Sequence, residues 1–321
     1  LGVFSLLTTG AWAEEKTTLK FAHQLPPAHF LSKAVEGFAQ RVMQGTGGGI
    51  EFQIYPAAQL YRDKEIVDAT RTGGIEMGMV PLMRWASIEP DVQILDLPFL
   101  FSSSDTAEKA LDGLVGKMIE NRMARHRVRL LGLWPYGFMQ ISNNVRQIRS
   151  PGDIKGLKIR SWGGMASKVL KILGASPVTL SASEVYIALS KGTVDGAVSG
   201  LSSFRDRKYY EVQKFATVAN ILYAPGAIFI NEKTWNKLTL EQRNVMVEAS
   251  RWAKSFALKE MILDDDKALK DLRERGMEIS VLSPAEIDQW KAVTRPVLDE
   301  WMQGQPNEMK ELVAWTMELK K

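Results

Sequence analysis

The sequence predicts an α/β protein with two similar lobes, a ligand cleft between them and a long helix that touches both. The main observation is an internal repeat, in which residues 65–76 (EIVDATRTGGIE) align with residues 184–195 (EVYIALSKGTVD). The strand and helix that precede each segment also align, near residues 20 and 158. A repeat this long indicates two similar α/β units rather than a solenoid of small units. We expect the functional site in the cleft.

The first repeat alternates between strand and helix patterns. Its apolar periodicity, glycine stops and Pro81 predict strands at 18–22, 50–55 and 75–80, and helices at 30–44 and 63–72. The second copy, residues 157–199, has the same order. Strands that alternate with helices through short links predict a parallel sheet with right-handed crossovers.

The chain is expected to pass between the lobes twice. Residues 130–134 and 138–143 read as two strands around a Pro-Tyr-Gly turn, and a second crossing lies near residues 223–226. We therefore assign residues 14–136 and 224–264 to lobe I and residues 137–223 and 265–321 to lobe II.

A long helical stretch follows the second crossing. Thr239 and Gln242 form a capping pattern at its start, and neither Gly nor Pro occurs until Gly276. An unbroken helix of this length would span ~50 Å and reach both lobes. Ser283 and Glu286 predict the start of another helix by the same capping pattern.

Composition narrows the class of protein. The chain has 321 residues, of which 45% are hydrophobic and 24% charged, which suits two globular domains. Its net charge of +4 is spread along the chain, which does not favour nucleic-acid binding. Because no long uninterrupted apolar stretch occurs, the protein is not expected to be embedded in a membrane.

The first residues predict export. Residues 1–13 are uncharged and end in Ala-Trp-Ala before two glutamates, which is typical of the remnant of a signal peptide with its cleavage site. The chain has no cysteine, so its stability needs no disulfide. We expect a periplasmic protein.

Loops after the strands supply the candidate ligand-binding residues, because ligands of parallel α/β sheets bind beyond the carboxyl ends of the strands. Arg160 ends the first strand of the second repeat, and its planar guanidinium suits a carboxylate. The alternative is an arginine that pairs with an acidic neighbour at a strand end. The other candidates in these loops and near the two crossings are His23, Gln24, Arg84, Trp85, Phe138, Trp162, Ser199 and Tyr223.

No catalytic or metal-binding pattern is present in the sequence. The chain has three histidines and no cysteine, and it lacks the usual nucleophile, zinc and dinucleotide motifs. The three carboxylates at residues 264–266 read as a solvated part of the long helix. We therefore expect no enzymatic activity, no cofactor and no metal.

Several segments resemble the extracytoplasmic solute receptors of TRAP transporters, the tripartite ATP-independent periplasmic systems. The similar segments are residues 55–60 (YPAAQL), 97–101 (LPFLF), 150–160 (SPGDIKGLKIR), 183–189 (SEVYIAL), 194–196 (VDG) and 210–214 (YEVQK). The resemblance implies a two-lobe periplasmic-binding-protein fold that closes on an organic acid and delivers it to a membrane permease. It also implies that Arg160 holds the carboxylate of the ligand.

Departures from the family pattern bear on the ligand. Sialic-acid-binding members have an arginine where this chain has Phe138, and asparagine and glutamate where it has Ser199 and Pro81, whereas Arg84 matches an arginine of the family. Fewer polar groups and several aromatic residues favour a monocarboxylate with a hydrophobic or aromatic body. Of the five aromatic residues near the cleft, we expect at least two to pack in the core: Trp85, Trp134, Tyr136, Phe138 and Trp162.

Three alternatives remain at this point. The protein is a receptor for a sugar acid or small dicarboxylate, a binding protein coupled to a sensor rather than to a permease, or an exported enzyme of the same shape. The last has the weakest support, because no catalytic set can be assembled from the sequence.

Overall fold

The computed structural model describes residues 16–319, so the predicted signal-peptide remnant at residues 1–13 lies outside the described residues. Within them, nine strands form a single sheet. The strands are β1 (Thr17–His23), β2 (Ile50–Tyr55), β3 (Met77–Pro81), β4 (Val128–Asn143), β5 (Lys158–Ser161), β6 (Ser176–Thr179), β7 (Gly196–Ser199), β8 (Phe215–Asn231) and β9 (Glu278–Val281).

Helices cover the sheet and connect its strands. They are α1 (Phe30–Gly45), α2 (Asp63–Thr72), α3 (Ser104–Asp112), α4 (Leu114–Met123), α5 (Gly164–Ile172), α6 (Val185–Ser190), α7 (Leu201–Asp206), α8 (Glu232–Lys237), α9 (Leu240–Glu274), α10 (Pro284–Gln303) and α11 (Asn307–Glu318). Between residues 16 and 319, no helix is both long enough and apolar enough to cross a membrane.

Two α/β units with the same strand order confirm the internal repeat. In the first unit, β1 lies between β2 and β3 and pairs parallel with both. In the second unit, β5 lies between β6 and β7, again in parallel. Parallel strands require crossover connections, which α1, α2, α5 and α6 provide. The predicted two-lobe α/β fold is confirmed.

The two crossings are paired strands, and here the sequence prediction was wrong. It placed a turn between residues 134 and 138, but β4 continues through Pro135 and pairs antiparallel with β8, with a register shift between Pro135 and Gly137. Proline cannot donate an N–H to the ladder, and it is tolerated at such a bulge because the ladder is already interrupted there. Gly137 has a φ of 106°, which a residue with a side chain rarely adopts.

The long helix is continuous, as predicted. Helix α9 has 35 residues and begins with the capping box of Thr239 and Gln242. It packs against α1 of the first unit and α7 of the second. Trp134 on β4 is fully buried and donates its indole N–H to Ser250 of α9 at 3.1 Å, so this tryptophan belongs to the core rather than to the cleft.

One anchor of α9 corrects the view that residues 264–266 are a solvated stretch. Asp264 accepts two hydrogen bonds from the guanidinium of Arg205 on α7, at 2.8 and 3.0 Å, and both side chains are largely buried. Burial lowers the pKa of Arg205, but the carboxylates of Asp264 and Asp206 outweigh it and raise that pKa. This bidentate pair joins the helix to the second unit.

Replacing Arg205 tests this anchor. Arg205→Ala leaves the carboxylates of Asp206 and Asp264 without their cation, and we expect the free energy of unfolding to fall by about 2 kcal/mol, between the values for exposed and buried pairs. The control is Arg295→Ala, because Arg295 pairs with Asp299 on an exposed face of α10, and its effect should stay within about 0.5 kcal/mol. Urea denaturation measures both, and equal effects would contradict the anchor.

Candidate functional site

Loops at the carboxyl ends of the parallel strands meet where the two units face each other. They enclose a cavity of about 20 Å³, whose walls include Gln24 after β1, Arg84 after β3, Trp162 after β5 and Ser199 at the end of β7. A cavity of this size holds about one water molecule. Any ligand larger than a water molecule would enter only if the loops of the two units separated.

Arg160 is the main charged group of this cavity. Its side chain is 4% exposed, and it donates to the carbonyl oxygens of Leu180, at 3.0 and 3.2 Å, and Val198, at 3.1 Å. No carboxylate of residues 16–319 lies within ion-pair distance of the guanidinium, so the alternative of an arginine paired with an acidic neighbour is not what the structure contains. Burial, with Arg84 and Arg207 nearby, lowers the pKa of Arg160 to about 10, although Tyr209 and Asp63 oppose this.

Arg84, the second predicted cation, has an internal partner. Its guanidinium contacts the Asp63 carboxylate at 2.6 and 2.9 Å, and both side chains are at most 5% exposed. It also donates to the carbonyl oxygen of Leu180 at 3.3 Å, which Arg160 shares. The two guanidinium groups are therefore close neighbours, and Asp63 neutralises one of them.

Asp63 lies in the first turn of α2, where the helix dipole favours a negative charge. Burial raises the pKa of its carboxyl, but Arg84 and then Arg160 outweigh burial and bring the pKa below its ordinary value. The cavity therefore contains a permanent carboxylate of the protein. A negatively charged group of a ligand placed beside Arg84 would also meet Asp63.

Arg207 adds a third guanidinium at the edge of the site. It donates to both the backbone and the side-chain oxygen of Gln24 and to the carbonyl oxygen of Ala182 at 3.4 Å. Because Arg207 occupies the side-chain oxygen of Gln24, the amide N–H₂ of Gln24 is the group left to interact with a ligand. Arg207 was not among the predicted residues, because it lies in the chain between β7 and β8 and away from the end of either strand.

Five of the nine predicted residues line the cavity, namely Gln24, Arg84, Arg160, Trp162 and Ser199. The structure places the other four elsewhere. Trp85 is fully buried in the 3₁₀ segment Leu82–Trp85 and packs edge-on against Phe229 at 4.9 Å. His23 is 1% exposed and accepts a hydrogen bond from the Leu25 N–H, and burial, with Arg207, lowers its pKa to about 4.

Phe138 and Tyr223 lie on the other face of the crossing strands. They are opposite each other in the β4–β8 register, and their rings pack at 5.1 Å. The next residue, Met139, lines the cavity instead. Successive side chains of a strand point to opposite faces, so a shift of one position exchanges the residue that faces the ligand.

Seven further residues line the cavity and were not among the nine predicted ligand-binding residues, although Tyr136 was expected near the cleft. They are Asp63 from α2, Pro81 and Met83 at the end of β3, Tyr136 and Met139 from β4, Ala182 before α6, and Ala224 from β8. Pro81 and Met83 could have been predicted as lining residues, because they lie at or just after the carboxyl end of β3. No pattern in the sequence distinguishes Asp63 from other acids in the first turn of a helix.

Several hydrogen bonds join the two units across the cleft. Arg84 donates to the carbonyl oxygen of Trp162 at 2.9 Å, and the Trp162 indole N–H donates to Asp96 at 3.1 Å. Further contacts join Arg207 to Gln24 and the hydroxyl of Ser202 to the ring of His29. The arrangement is closed, with both units held by polar contacts that surround the cavity.

A surface groove of about 340 Å³ adjoins the cavity and shares Met83, Arg84 and Trp162 with it. These three side chains therefore separate the cavity from solvent. A larger groove of about 490 Å³ lies between α3, α4, α9 and β4 and contains none of the strand-end loops. We choose the smaller cavity as the candidate site because it contains the buried guanidinium of Arg160 and the strand-end loops.

Comparison with known proteins gives a consistent result. The family model described as bacterial extracellular solute-binding protein, family 7 (DctP) matches residues 21–305. The C4-dicarboxylate-binding periplasmic protein DctP of Rhodobacter capsulatus is 32% identical over 89% of this chain and 86% of its own length. The 2,3-diketo-L-gulonate-binding periplasmic protein YiaO of Escherichia coli is 27% identical, over 82% and 80%.

Solved structures show the same similarity. A TRAP periplasmic solute-binding protein of Sulfurospirillum deleyianum with bound succinate has a TM-score of 0.89 at 29% identity, and covers 95% of this chain and 99% of its own. A sugar acid binding protein of Advenella mimigardefordensis with galactonate has a TM-score of 0.90 at 26% identity, with 95% and 98% covered. With its family match over most of its length, this chain belongs to the extracytoplasmic solute receptors of TRAP transporters, family 7 of the bacterial extracellular solute-binding proteins.

Proposed function

We propose that the protein captures an organic monocarboxylate with a hydrophobic body in the periplasm and delivers it to the membrane permease of a TRAP system. The observation that carries the proposal is the guanidinium of Arg160, which is buried and has no carboxylate partner among the described residues. A buried cation is costly unless an anion compensates it. A ligand carboxylate would supply that compensation through two parallel hydrogen bonds.

The rest of the lining supports an apolar ligand body. Pro81, Met83, Met139 and Ala224 contribute aliphatic surface, and Trp162 contributes an aromatic ring. Apart from the three charged residues, the polar side chains of the lining are those of Gln24, Ser199, Tyr136 and Trp162. The last two already have partners, because the Tyr136 hydroxyl bonds to Ser203 at 2.8 Å and the Trp162 indole N–H donates to Asp96. A site with one cation to fix the acid and mostly apolar walls favours a ligand with few hydroxyl groups.

Asp63 supports one carboxylate rather than two. Because Asp63 already pairs with Arg84 at 2.6 Å, a second carboxylate at Arg84 would have to displace it or accept its repulsion. Like charges placed in a desolvated site discriminate strongly against a ligand. The Asp63 carboxylate thus occupies the position beside Arg84 where the second carboxylate of a dicarboxylate ligand would bind.

A receptor for a dicarboxylate or sugar acid is the second candidate. It is supported by relatives whose names include C4-dicarboxylate and 2,3-diketo-L-gulonate, and by similar structures with succinate and galactonate. In this alternative Asp63 releases Arg84 on binding, and Arg84 takes the second acidic or hydroxyl group. The panel of acids below separates the two candidates.

The proposed mechanism is reversible binding, in which the two lobes close on the acid and the acid is not chemically changed. The lobes, residues 14–136 with 224–264 and residues 137–223 with 265–321, would separate about the paired strands near Gly137 and Gly226. Ligand contacts to both lobes favour the closed form. The permease, rather than a sensor, is the proposed recipient of the closed form, which is supported by the similarity to TRAP periplasmic solute-binding proteins. Unchanged recovery of the bound acid after incubation would support the absence of catalysis.

A thermal-shift panel tests the ligand class. Benzoate, 3-methyl-2-oxobutanoate, succinate, D-galactonate and the matched neutral amides are compared at one concentration. A true ligand at 100 times its Kd stabilises the protein by about 2.7 kcal/mol. We expect shifts from the apolar monocarboxylates and none from their amides. Shifts confined to succinate or galactonate would replace the first candidate by the second, and equal shifts by acids and amides would contradict both.

Arg160 variants test the carboxylate clamp. Truncation to Ala leaves the ligand carboxylate buried without a cation, so we expect Arg160→Ala to weaken binding by about 2–5 kcal/mol. Arg160→Lys should recover little of this, because an ammonium lacks the planar fork. Isothermal titration with the acid that gives the largest shift measures both, and the exposed Arg295→Ala serves as control. Near-normal affinity in Arg160→Ala would contradict the clamp.

Asp63→Asn tests the internal anion. The amide keeps the shape but leaves Arg84 without a negative partner, so succinate should bind roughly ten-fold more tightly relative to the monocarboxylates, as about 1.4 kcal/mol of lost repulsion implies. Asp68→Asn on the same helix is the matched control, since Asp68 is 67% exposed. An unchanged ratio of affinities in Asp63→Asn would show that Asp63 does not select against a second carboxylate.

A further inference from the structure

Asp96 is a buried carboxylate at the contact between the two units, and the clamp described above does not use it. It ends the 3₁₀ segment Pro90–Asp96, and its side chain is 2% exposed. One carboxylate oxygen, Oδ2, accepts the indole N–H of Trp162 at 3.1 Å. The other, Oδ1, is buried and has no hydrogen-bond partner among the described residues.

Trp162 connects Asp96 to the ligand cavity. It lies in the loop between β5 and α5, and it lines both the cavity and the adjoining groove. Its indole N–H is held by Asp96, and its backbone oxygen accepts from Arg84 at 2.9 Å. The side chain and the backbone of Trp162, in the second unit, are therefore both hydrogen-bonded to the segments that follow β3 in the first unit.

Little positive charge compensates Asp96. Arg84 is the cation that acts on it, and Arg84 already pairs with Asp63. The other charged and titratable groups on this segment and on the elements packed against it have their own partners or are exposed: Glu89 with His126, Asp91 with Arg122, Glu120 with Arg129, Lys168 with Glu300, Tyr223 with Glu108, and the exposed Lys117 and Lys171. A deprotonated Asp96 is thus a poorly compensated charge in the closed cleft.

We propose that Asp96 is a positioning residue for Trp162 and that closure of the cleft takes up a proton at the Asp96 carboxyl group. A protonated Asp96 still accepts the Trp162 N–H, and it carries no charge into the interface. The inference rests on the proposed function in one respect, namely that the cleft opens to admit its ligand.

The sign of the pH dependence follows from the two forms of Asp96. In the closed form, burial raises the pKa of Asp96 from 3.8 to about 7, although the Trp162 hydrogen bond and Arg84 oppose the increase. In an open cleft the Trp162 loop moves away, and the pKa returns toward its ordinary value. The closed form then binds more protons, so closure is easiest at low pH and becomes less favourable as the pH rises to about 7.

The expected change in ligand affinity between pH 6 and pH 8 is about ten-fold. With a pKa near 7 in the closed form and near 4 in the open form, linkage makes a ligand bind about ten-fold more tightly at pH 6 than at pH 8. His23, with a pKa of about 4, does not titrate in this range. Asp265 does, because burial and its neighbours Asp264 and Asp266 raise its pKa to about 7, but it lies on α9, which packs mainly against α1, α7, β4 and β9.

Calorimetric titration at pH 6 and pH 8 tests the proposal. The ligand is whichever of benzoate, 3-methyl-2-oxobutanoate and D-galactonate gives the largest thermal shift. The carboxyl groups of these acids are ionised at both pH values. Wild type should bind the acid about ten-fold more tightly at pH 6 than at pH 8. Asp96→Asn should lose this pH dependence, although its side chain still offers an acceptor for the Trp162 N–H. The matched control Asp265→Asn should retain the pH dependence. The same pH dependence in Asp96→Asn as in wild type would overturn the proposal.

A measurement without ligand separates this inference from the proposed function. The chain has no cysteine, so Asp68→Cys and Lys191→Cys, at exposed positions of the two units, accept spin labels selectively. Electron–electron distance distributions should show the ratio of closed to open molecules about ten-fold higher at pH 6 than at pH 8, and no such change with Asp96→Asn. If no acid of the panel binds, the proposed function fails. If the distances in the labelled protein that retains Asp96 do not change with pH, the proton coupling fails.

Discussion

The guanidinium of Arg160 is the constraint on which the rest of the cleft depends. It is 4% exposed and bonds only to neutral carbonyl oxygens. Burial without an anion disfavours the charged form of an arginine and brings its pKa to about 10. The sheet explains why it is there: Arg160 lies in β5, the central strand of its unit, whose carboxyl end faces the other unit. A carboxylate brought into this position is therefore stabilised by a cation that the protein has placed in advance.

Under the proposed function, the charges around Arg160 would make the site selective among anions. Asp63 neutralises Arg84, and Arg207 holds the side chain of Gln24, so the three arginines do not act as three equivalent binding groups. The same polar contacts that define the cavity also join the two units. In the proposed mechanism, ligand recognition and closure are therefore coupled, since any change that moves Arg84 or Trp162 alters both the cavity wall and the interface.

The sequence was sufficient to predict the α/β units, the long helix and the position of Arg160 at a strand end that lines the cavity, because these depend on local patterns: alternation, capping boxes and a charged residue at a strand end. It failed where the outcome depends on pairing between distant strands. The β4–β8 register decides that Met139 rather than Phe138 faces the cavity, and core packing against Phe229 removes Trp85 from the cleft. Asp63 and Arg207 were missed because their importance arises only from the charges beside them in three dimensions.

A crystal structure with the bound acid tests the central claim most directly. The account predicts both carboxylate oxygens within about 3 Å of the guanidinium nitrogens of Arg160, in the parallel geometry of a charge-assisted pair, with Asp63 still bound to Arg84. A ligand carboxylate held by Arg84 or Arg207, with Arg160 still bonded only to the carbonyl oxygens of Leu180 and Val198, would contradict it.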